Sequence, residues 1–346
     1  MKRFIILIMT LTVLIPLAAQ PKREQFLAER FGLSQETARE VMEINRSSRQ
    51  SVEAAEIEIR IATSFISSDQ AKISLEKEIG DKGFNDVVSE AREEWNKELS
   101  IIEVETITDE DQVTFYSNLY RVMTFPRIWY ELDAKGDTLH YSAYDGDVHA
   151  GVMFADNGFW DTFRTEFPLL TLLFPQQTGT MIQGFINAYK EGDWLPKWTS
   201  PGYRNVMIGT HMASLAADSW KKGIRNFELE TLYEAAKKDI FELPPAGGPG
   251  RSGNPWYLDL GYVPYDKVHE ATARTLEYAY GDFCVSELAK HLGKTEDQYY
   301  FLNLSKNYSN VYDPDVGFMR GRKSDGTWRP DFSPFEWGGP FTEGSS

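Results

Sequence analysis

The sequence has a single cysteine, Cys284, among its 346 residues, so no disulfide can form within one chain. Disulfide-stapled scaffolds are therefore excluded, and burial of an apolar core must supply most of the stability. Cys284 lies inside a helical pattern, where a buried thiol is the favoured interpretation. No histidine with a recognisable companion pattern accompanies it, which argues against a catalytic thiol.

Positive charge is also scarce. The chain carries 36 Lys and Arg against 52 Asp and Glu, for a formal net charge of −16. A surface of this sign repels phosphate backbones, and no basic stripe or nucleic-acid motif is present. The sequence also lacks a nucleotide-binding glycine loop, a serine nucleophile elbow and a haem motif. We therefore predict that nucleic acid is not a partner.

Metal motifs are equally poor. The five histidines show no paired spacing, and one cysteine cannot form a thiolate cluster for zinc. Two oxygen-rich segments, Asp145–Asp147 and Asp313–Asp315, do not continue as EF-hand loops, so ordinary turns are the favoured interpretation. The residues by themselves assign no metal ligand.

Long apolar runs are missing except at the N-terminus, where Phe4–Ile15 is almost continuously apolar. Lys2 and Arg3 precede this run, and small residues at Ala18–Gln20 suit signal peptidase. This layout predicts a secretory signal over residues 1–20, with an uncleaved membrane anchor as the alternative. No cysteine closely follows, so a lipoprotein anchor lacks its attachment site. We expect a secreted or periplasmic protein without stable membrane insertion.

Hydrophobic periodicity predicts a mostly α fold. Residues 21–56 are typical of one or two exposed helices, and the alternation over Ile57–Ile66 predicts a strand. Spacings of three and four then predict a series of helices. Asn226 is a plausible helix cap, and Thr295 with Gln298 resembles a capping box. The predicted helices lie at Phe84–Leu99, around Phe115–Met123, around Met181–Tyr189, and at Met207–Lys222, Phe227–Ile240 and Val268–Leu292.

Long loops rich in Gly, Pro and Trp separate these helices, at Asp193–Tyr203, Pro244–Tyr257 and Gly317–Phe341. Helix pairs joined by long aromatic loops favour a helical toroid with function on the loops. Several tryptophans lie in or beside loops and have Gly, Pro or acidic neighbours. An aromatic face flanked by carboxylates suits a sugar, because the ring stacks on C–H groups while carboxylates accept hydroxyl hydrogen bonds. For any single tryptophan, anchoring of a loop to the core remains the alternative.

The segment around Trp160 combines an aromatic ring with both charges. Asp161 and Arg164 fall within about one helical turn of it, so they can pair or jointly hold a polyol, although a structural ion pair is the alternative. Asp266, Glu270 and Glu277 could form a carboxylate cluster, but helical spacing puts many such acids into solvent, so most of them are predicted to be surface charges. Glu336 and Glu343 lie in a Gly-rich aromatic turn, where partial burial could raise a carboxyl pKa.

A series of segments, taken together and in order, resembles glycoside hydrolase family 92. The resemblance covers about Ile57 to the final residue. The segments are Phe115–Arg121, Trp160–Arg164 with Pro168–Leu170, Leu195–Trp198, Met207–His211, Ala217–Asp218, Gly261–Pro264, Thr275–Tyr280, Gly317–Arg322 and Phe341–Gly344.

The resemblance implies a β-sandwich followed by an (α/α)6 toroid, and calcium-dependent, exo-acting hydrolysis of α-mannosides with inversion. It makes Glu343 the general acid and places the terminal mannose at Trp160 and Asp161. Arg164, Trp198 and His211 lie in the same matching segments and are predicted to bind substrate. Calcium would bridge sugar hydroxyls as a Lewis acid and template, with ligands that this sequence does not identify.

This sequence also departs from the family's pattern. It ends three residues after Glu343, whereas the family's base aspartates and the acidic segment associated with calcium would lie beyond Ser346. Thr210 stands where the family commonly has an acid, and Gly281 where it commonly has Asp. Inversion needs both an acid and a base that activates water, so we expect this polypeptide by itself to be an incomplete and inactive fragment.

The predicted organisation is a signal peptide over 1–20, a helical segment with a remnant sandwich strand over 21–67, a linker helix region over 68–110, and an incomplete toroid over 111–346. The leading hypothesis is an α-1,2-mannosidase that removes terminal mannose from N-glycans or mannans. A non-catalytic mannoside-binding protein and a toroid glycosidase for another sugar are the alternatives. Mannose-containing glycans are the expected partners.

Overall fold

The computed structural model describes residues 9–10, 39 and 58–344. The predicted signal peptide and the helices predicted over 21–56 lie almost wholly outside these residues. The chain divides into two compact units: the first comprises Met1–Thr63 and Ala71–Arg92, and the second comprises Ser64–Gln70 and Glu93–Ser346. The candidate site lies entirely in the second unit.

In the first unit, strand β1 (Met9–Thr10) pairs antiparallel with β2 (Glu58–Ile59). The strand predicted over Ile57–Ile66 is therefore short, because no regular structure continues over residues 60–63. Helices α1 (Ser68–Glu78) and α2 (Phe84–Leu99) follow, each with residues in both units, and α2 has the bounds that its apolar spacing predicts.

The second unit is mostly helical. Helix α3 spans Asp109–Val122, with Thr108 as an N-cap whose side chain accepts a hydrogen bond from the Asp111 amide. The helices after it are α4 (Phe159–Thr162), α5 (Glu166–Leu173), α6 (Pro175–Gly192), α7 (Met212–Lys221), α8 (Leu229–Phe241), α9 (Asn254–Leu260), α10 (Ala271–His291) and α11 (Thr295–Leu304), followed by a 3-10 helix over Ser305–Val311.

Short antiparallel strands lie between the helices, most of them between α3 and α4. Periodicity did not predict them, because two to four residues are too few to establish an alternation. They are β3 (Arg127–Ile128) paired with β7 (Phe154–Ala155), a three-stranded sheet of β4 (Glu131–Leu132), β5 (Thr138–Tyr141) and β6 (Val148–Ala150), β8 (Asn157–Gly158) paired with β9 (Trp198–Thr199), and β10 (Tyr312–Asp313) paired with β11 (Phe318–Met319).

Helix α10 is central to the packing, with α7, α8, α11 and the 3-10 helix against it. The side chains of Phe185, Leu232 and Leu288 are fully buried in one continuous apolar cluster with Phe159. Cys284 is 3% exposed, which confirms the predicted buried thiol. Burial raises the pKa of this thiol to about 12, so it stays protonated and unreactive near neutral pH.

Two predicted helix caps are wrong. Asn226 does not cap α8, whose N-cap is Glu228; its side-chain amide instead donates to the carbonyl of Gln176 on α6. Thr295 is already the first residue of α11, and the N-cap Lys294 makes no side-chain capping bond. At Asn226, the contact with α6 takes the side chain away from the start of α8.

The mostly α fold class is confirmed. How many helix pairs the complete toroid contains stays a prediction. Among the described residues, we find no helix that combines the length and the apolar character needed to cross a bilayer.

Candidate functional site

The candidate site begins at α4, whose first residue, Phe159, is completely buried against Phe185 with ring centroids 4.8 Å apart. This anchor fixes the start of the helix. The next residue, Trp160, is only half-buried, and Asp161 is exposed. The short helix therefore presents an aromatic face and a carboxylate beside each other at the protein surface.

Trp198 lies next to this turn because β9 pairs with β8, with Trp198 opposite Gly158. A Cβ on Gly158 would come within 2.3 Å of the Trp198 ring. Only glycine fits here, since no other residue leaves room for the indole. The pairing brings together two predicted sugar-binding residues that are separated by 38 positions in the sequence.

Arg164 crosses from the end of this turn to α10. Its Nη2 donates to Glu277 Oε1 at 2.8 Å, and its Nε donates to the Trp160 carbonyl at 3.2 Å. The guanidinium also lies 4.9 Å from the Trp160 ring centroid and 4.7 Å from that of Phe163. Among the described residues Arg164 thus pairs with Glu277, not with Asp161 as the sequence spacing allowed.

His211 is held just before α7. Its ring stacks on Phe163 at a centroid distance of 3.9 Å and an interplanar angle of 7°. Gly209 has a φ of +79°, and a Cβ there would lie 2.2 Å from His211 Nε2. Burial, with the nearby charges of Arg164 and Lys197, lowers the pKa of His211 to about 3, so the imidazole is neutral at any ordinary pH.

Glu277 connects these groups. Its Oε2 lies 3.4 Å from His211 Nε2, and its side chain is only 14% exposed. Burial raises the pKa of this carboxyl, while the charge and hydrogen bond of Arg164 and the indole N–H of Trp160 act in the opposite direction. The interpretation of Glu277 as a surface charge is therefore wrong. Its position in Thr275–Tyr280, a segment that carries the family resemblance, was the signal that could have identified it.

A second carboxylate, Glu166, follows the turn at the start of α5. Its Oε1 is buried and has no hydrogen-bond partner. Burial, together with the charge of Asp161, raises the pKa of Glu166 to about 7. Asp161 and Glu166 thus share a region in which one proton is held near neutral pH.

The family is decided by comparison with known proteins. A match to the Glycosyl hydrolase family 92 catalytic domain covers residues 70–346. The chain belongs to this family. The predicted family membership is therefore confirmed, and the cluster around Glu277 lies inside the matched catalytic domain.

Two solved family 92 enzymes of Bacteroides thetaiotaomicron have similar structures. An inverting mannosidase of strain VPI-5482 is 46% identical, with a TM-score of 0.82 over 86% of this chain and 40% of that chain. An alpha-mannosidase in complex with mannoimidazole is 30% identical, with a TM-score of 0.76 over 84% of this chain and 39% of that chain.

A relative from Arthroderma benhamiae is described as an uncharacterized secreted glycosidase. It is 28% identical over 299 residues, which cover 79% of this chain and 34% of the relative. The present chain thus spans between 34% and 40% of the length of these three relatives.

The predicted general acid of this family 92 chain, Glu343, lies on an exposed C-terminal turn. Its carbonyl accepts from the Gly338 amide at 2.9 Å, and the Thr272 amide at the start of α10 donates to Pro340 at 2.8 Å. Thr272 and Glu277 are five residues apart on one helix, or about 7.5 Å along its axis. The turn that carries Glu343 is therefore attached to the same helix as Glu277.

The other carboxylate of that turn is already paired, because Glu336 accepts from Arg329 at 2.5 Å. Nor do all loop tryptophans serve the site. Trp194 is only 7% exposed, with Lys238 located 5.0 Å from its ring centroid, so it anchors its loop to the core.

Thr210 and Gly281, the two departures from the family pattern, both face the buried Arg251. The Arg251 Nε donates to Thr210 Oγ1 at 3.3 Å, and a Cβ on Gly281 would lie 3.0 Å from its Nη2. Arg251 donates to Asp282 at 2.7 Å, and Tyr257 donates to the other oxygen of that carboxylate at 2.6 Å. This network joins α10 to the residue before His211.

Calcium prefers six to eight oxygen ligands, usually including several carboxylates. Over residues 58–344, no group of three or more His, Cys, Asp or Glu side chains is placed to hold a metal ion. The side chains of this part of the chain therefore provide no carboxylate cluster for calcium.

Proposed function

We propose that this chain provides the terminal-mannose site of an exo-acting, inverting α-mannosidase. The observation that carries the proposal is the cluster of Trp160, Arg164, His211 and Glu277 inside a family 92 catalytic domain. The similar solved structures are mannosidases, and one of them contains mannoimidazole.

In the proposed site each residue has a separate role. The half-buried indole of Trp160 stacks on the C–H face of the sugar, with Trp198 beside it. Asp161 accepts hydroxyl hydrogen bonds, and Arg164 donates them from a side chain that is 46% exposed. Neutral His211 closes the inner wall without placing a second positive charge beside Arg164.

Glu343 would donate a proton to the glycosidic oxygen as the bond to the leaving group breaks. Inversion then needs a second carboxylate that removes a proton from water on the opposite face of the ring. Glu277 is a poor candidate for that role, because it is already bonded to Arg164. We therefore propose that the 346-residue chain by itself turns over little or no substrate.

The proposed substrates are α-1,2-linked mannosides at the ends of N-glycans or mannans, met outside the cell or in the periplasm. The secreted relative from Arthroderma benhamiae supports this location. A non-catalytic mannoside-binding protein is the second candidate, because the recognition cluster of this chain does not itself contain an acid–base pair.

Calorimetry of the 346-residue chain with methyl α-mannoside tests the recognition site. We expect Trp160→Ala to weaken binding about tenfold or more, because a stacking aromatic is lost. Trp220→Ala is the matched control, since Trp220 lies at the far end of α7 from His211, about 13 Å along the helix axis. Equal affinities for wild type and Trp160→Ala, with both proteins folded by circular dichroism, would contradict the proposal.

A further inference from the structure

We propose that Glu277 is a positioning residue: its ionised carboxylate holds Trp160 and Arg164 in the orientation that binds sugar. The inference rests on the proposed function for its consequence in sugar binding. The contacts of Glu277 do not depend on the substrate, so the positioning role and the proposed mannose site can each be rejected separately.

Three segments meet at this one carboxylate. Arg164, at the end of the α4 turn, donates to Oε1 at 2.8 Å. The indole N–H of Trp160 faces the carboxylate from the same turn, without completing a hydrogen bond. His211, from the segment before α7, lies 3.4 Å from Oε2. Glu277 itself is on α10, so it joins the sugar-facing turn to the central helix.

Contacts of the same Arg164 guanidinium with two aromatic rings make this role specific. The guanidinium lies against the rings of Trp160 and Phe163, so the ion pair with Glu277 also sets where these rings lie. Arg164 is 46% exposed and Trp160 half-buried, and among the described hydrogen bonds only the one from Arg164 to Glu277 joins these two side chains to α10. Without the carboxylate, Arg164 is free to turn toward solvent and Trp160 loses its support.

The charge of Glu277 is what performs the positioning. Arg164 donates to it from the α4 turn, and neutral His211 faces it from the segment before α7. On its own helix, Tyr280 is the titratable neighbour, and burial with nearby negative charges keeps its hydroxyl protonated. A protonated Glu277 has no negative charge to attract Arg164, so the ion pair that holds the guanidinium is lost. Because burial raises the pKa of Glu277 above the ordinary 4.5, the midpoint of this loss lies above that pH.

Trp160 fluorescence reports the positioning without any sugar. The signal is the difference between the chain and its Trp160→Phe variant, followed from about pH 4 to 8 across the ordinary Glu range. We expect a transition with its midpoint above 4.5 in the wild type that is lost in the isosteric Glu277→Gln variant. Any change caused by Glu166, whose pKa burial raises to about 7, should be the same in both proteins. Glu287→Gln is the matched control, because Glu287 lies on the same helix and pairs with Lys221. The Glu287→Gln variant should show the same fluorescence transition as the wild type.

Arg164→Met provides a second variant that leaves Glu277 in place. Loss of the guanidinium removes a cause that lowers the pKa of Glu277, so the fluorescence midpoint should move to higher pH. An unchanged midpoint in Arg164→Met, or an unchanged transition in Glu277→Gln, overturns the positioning role. This comparison remains decisive if Glu277→Gln fails to fold.

Methyl α-mannoside affinity then connects the role to function. We expect Glu277→Gln to bind about tenfold more weakly than Glu287→Gln at neutral pH, as for the loss of a supporting charged hydrogen bond. In the wild type, mannoside affinity should fall as the pH is lowered, with the same midpoint as the fluorescence transition. A fluorescence transition without any mannoside binding would support Glu277 as a positioning residue and reject the proposed mannose site. Equal mannoside binding by Glu277→Gln and Glu287→Gln would reject the positioning role and support the proposed mannose site.

Discussion

At the scale of single residues, the interior of the second unit contains charges that the core does not fully pair. Asp239 on α8 is 2% exposed, and its Oδ1 has no hydrogen-bond partner. Burial raises the pKa of Asp239 to about 7 despite the positive charges of Arg251 and Lys197. Lys197 is 4% exposed and donates to Asn205 Oδ1, and burial lowers its pKa to about 8. Both groups are therefore sensitive to pH near neutrality.

Asp239 should make the stability of the protein fall as pH rises. Its folded pKa of about 7 exceeds the unfolded value of 3.8, so the folded state binds the extra proton between these values. Stability is lost at up to about 1.4 kcal/mol per pH unit through that window. We expect the free energy of unfolding, measured with urea, to differ less between pH 5 and pH 8 in Asp239→Asn than in the wild type.

Asp259→Asn is the control for this measurement, because Asp259 is exposed on α9. Asp259→Asn should show the same difference in the free energy of unfolding between pH 5 and pH 8 as the wild type. If Asp239→Asn keeps it as well, Asp239 is not the buried proton-binding group.

At the scale of secondary-structure elements, the site depends on how short elements meet. The pairing of β8 with β9 puts the Trp198 ring directly over Gly158, which is also the N-cap of α4. One glycine therefore fixes both the strand pair and the start of the turn that carries Trp160. The Arg251–Asp282 ion pair similarly joins α10 to the segment before α9, with both side chains 1% exposed or less.

Gly158→Ala tests this coupling between elements. The added methyl group would lie 2.3 Å from the Trp198 ring, so either the ring or the strand pair must move. We expect the variant to lose about 1–3 kcal/mol of stability, typical of overpacking, and most of its methyl α-mannoside binding. Differential scanning calorimetry and titration calorimetry measure the two effects.

Gly83→Ala is the corresponding control, since its Cβ would meet only Asp86 Oδ2 at an ordinary 3.6 Å. It should bind like the wild type. Unchanged binding in Gly158→Ala would show that Trp198 can leave its position without disturbing the site.

At the scale of the whole molecule, the chain is a strongly acidic member of family 92, with a net charge of −16. That nucleic acid is not a partner stays a prediction. The predicted calcium dependence, signal peptide and inactivity of the isolated chain stay predictions as well.

A protein extended to the full length of its relatives tests catalysis. We expect it to release mannose from α-1,2-mannobiose only when calcium is present, and Glu343→Gln to lose most activity while still binding the sugar. The 346-residue chain should release little or none. Wild-type turnover in Glu343→Gln would remove Glu343 as the proton donor, and full activity in EDTA would remove the calcium requirement.

Part of the fold and site could be predicted from the sequence. The apolar spacing of Phe84–Leu99 predicted α2 with its observed bounds, because a long amphipathic helix needs only local information. The strands between α3 and α4 were missed, since each is too short to show a period. Trp160, Arg164 and His211 were predicted as site residues and do cluster, whereas Glu277 was taken for a surface charge.

The sequence by itself determined the mostly α architecture, the buried thiol and the family, because these follow from periodicity, from local environment and from motifs in order. Only the tertiary structure decided which partner each charged side chain takes. Helical spacing offered Arg164 the nearby Asp161, but the packing of α10 against α7 gave it the buried Glu277. A carboxylate that is removed from water attracts a cation more strongly than one that stays exposed, and no linear pattern reveals which carboxylate is buried.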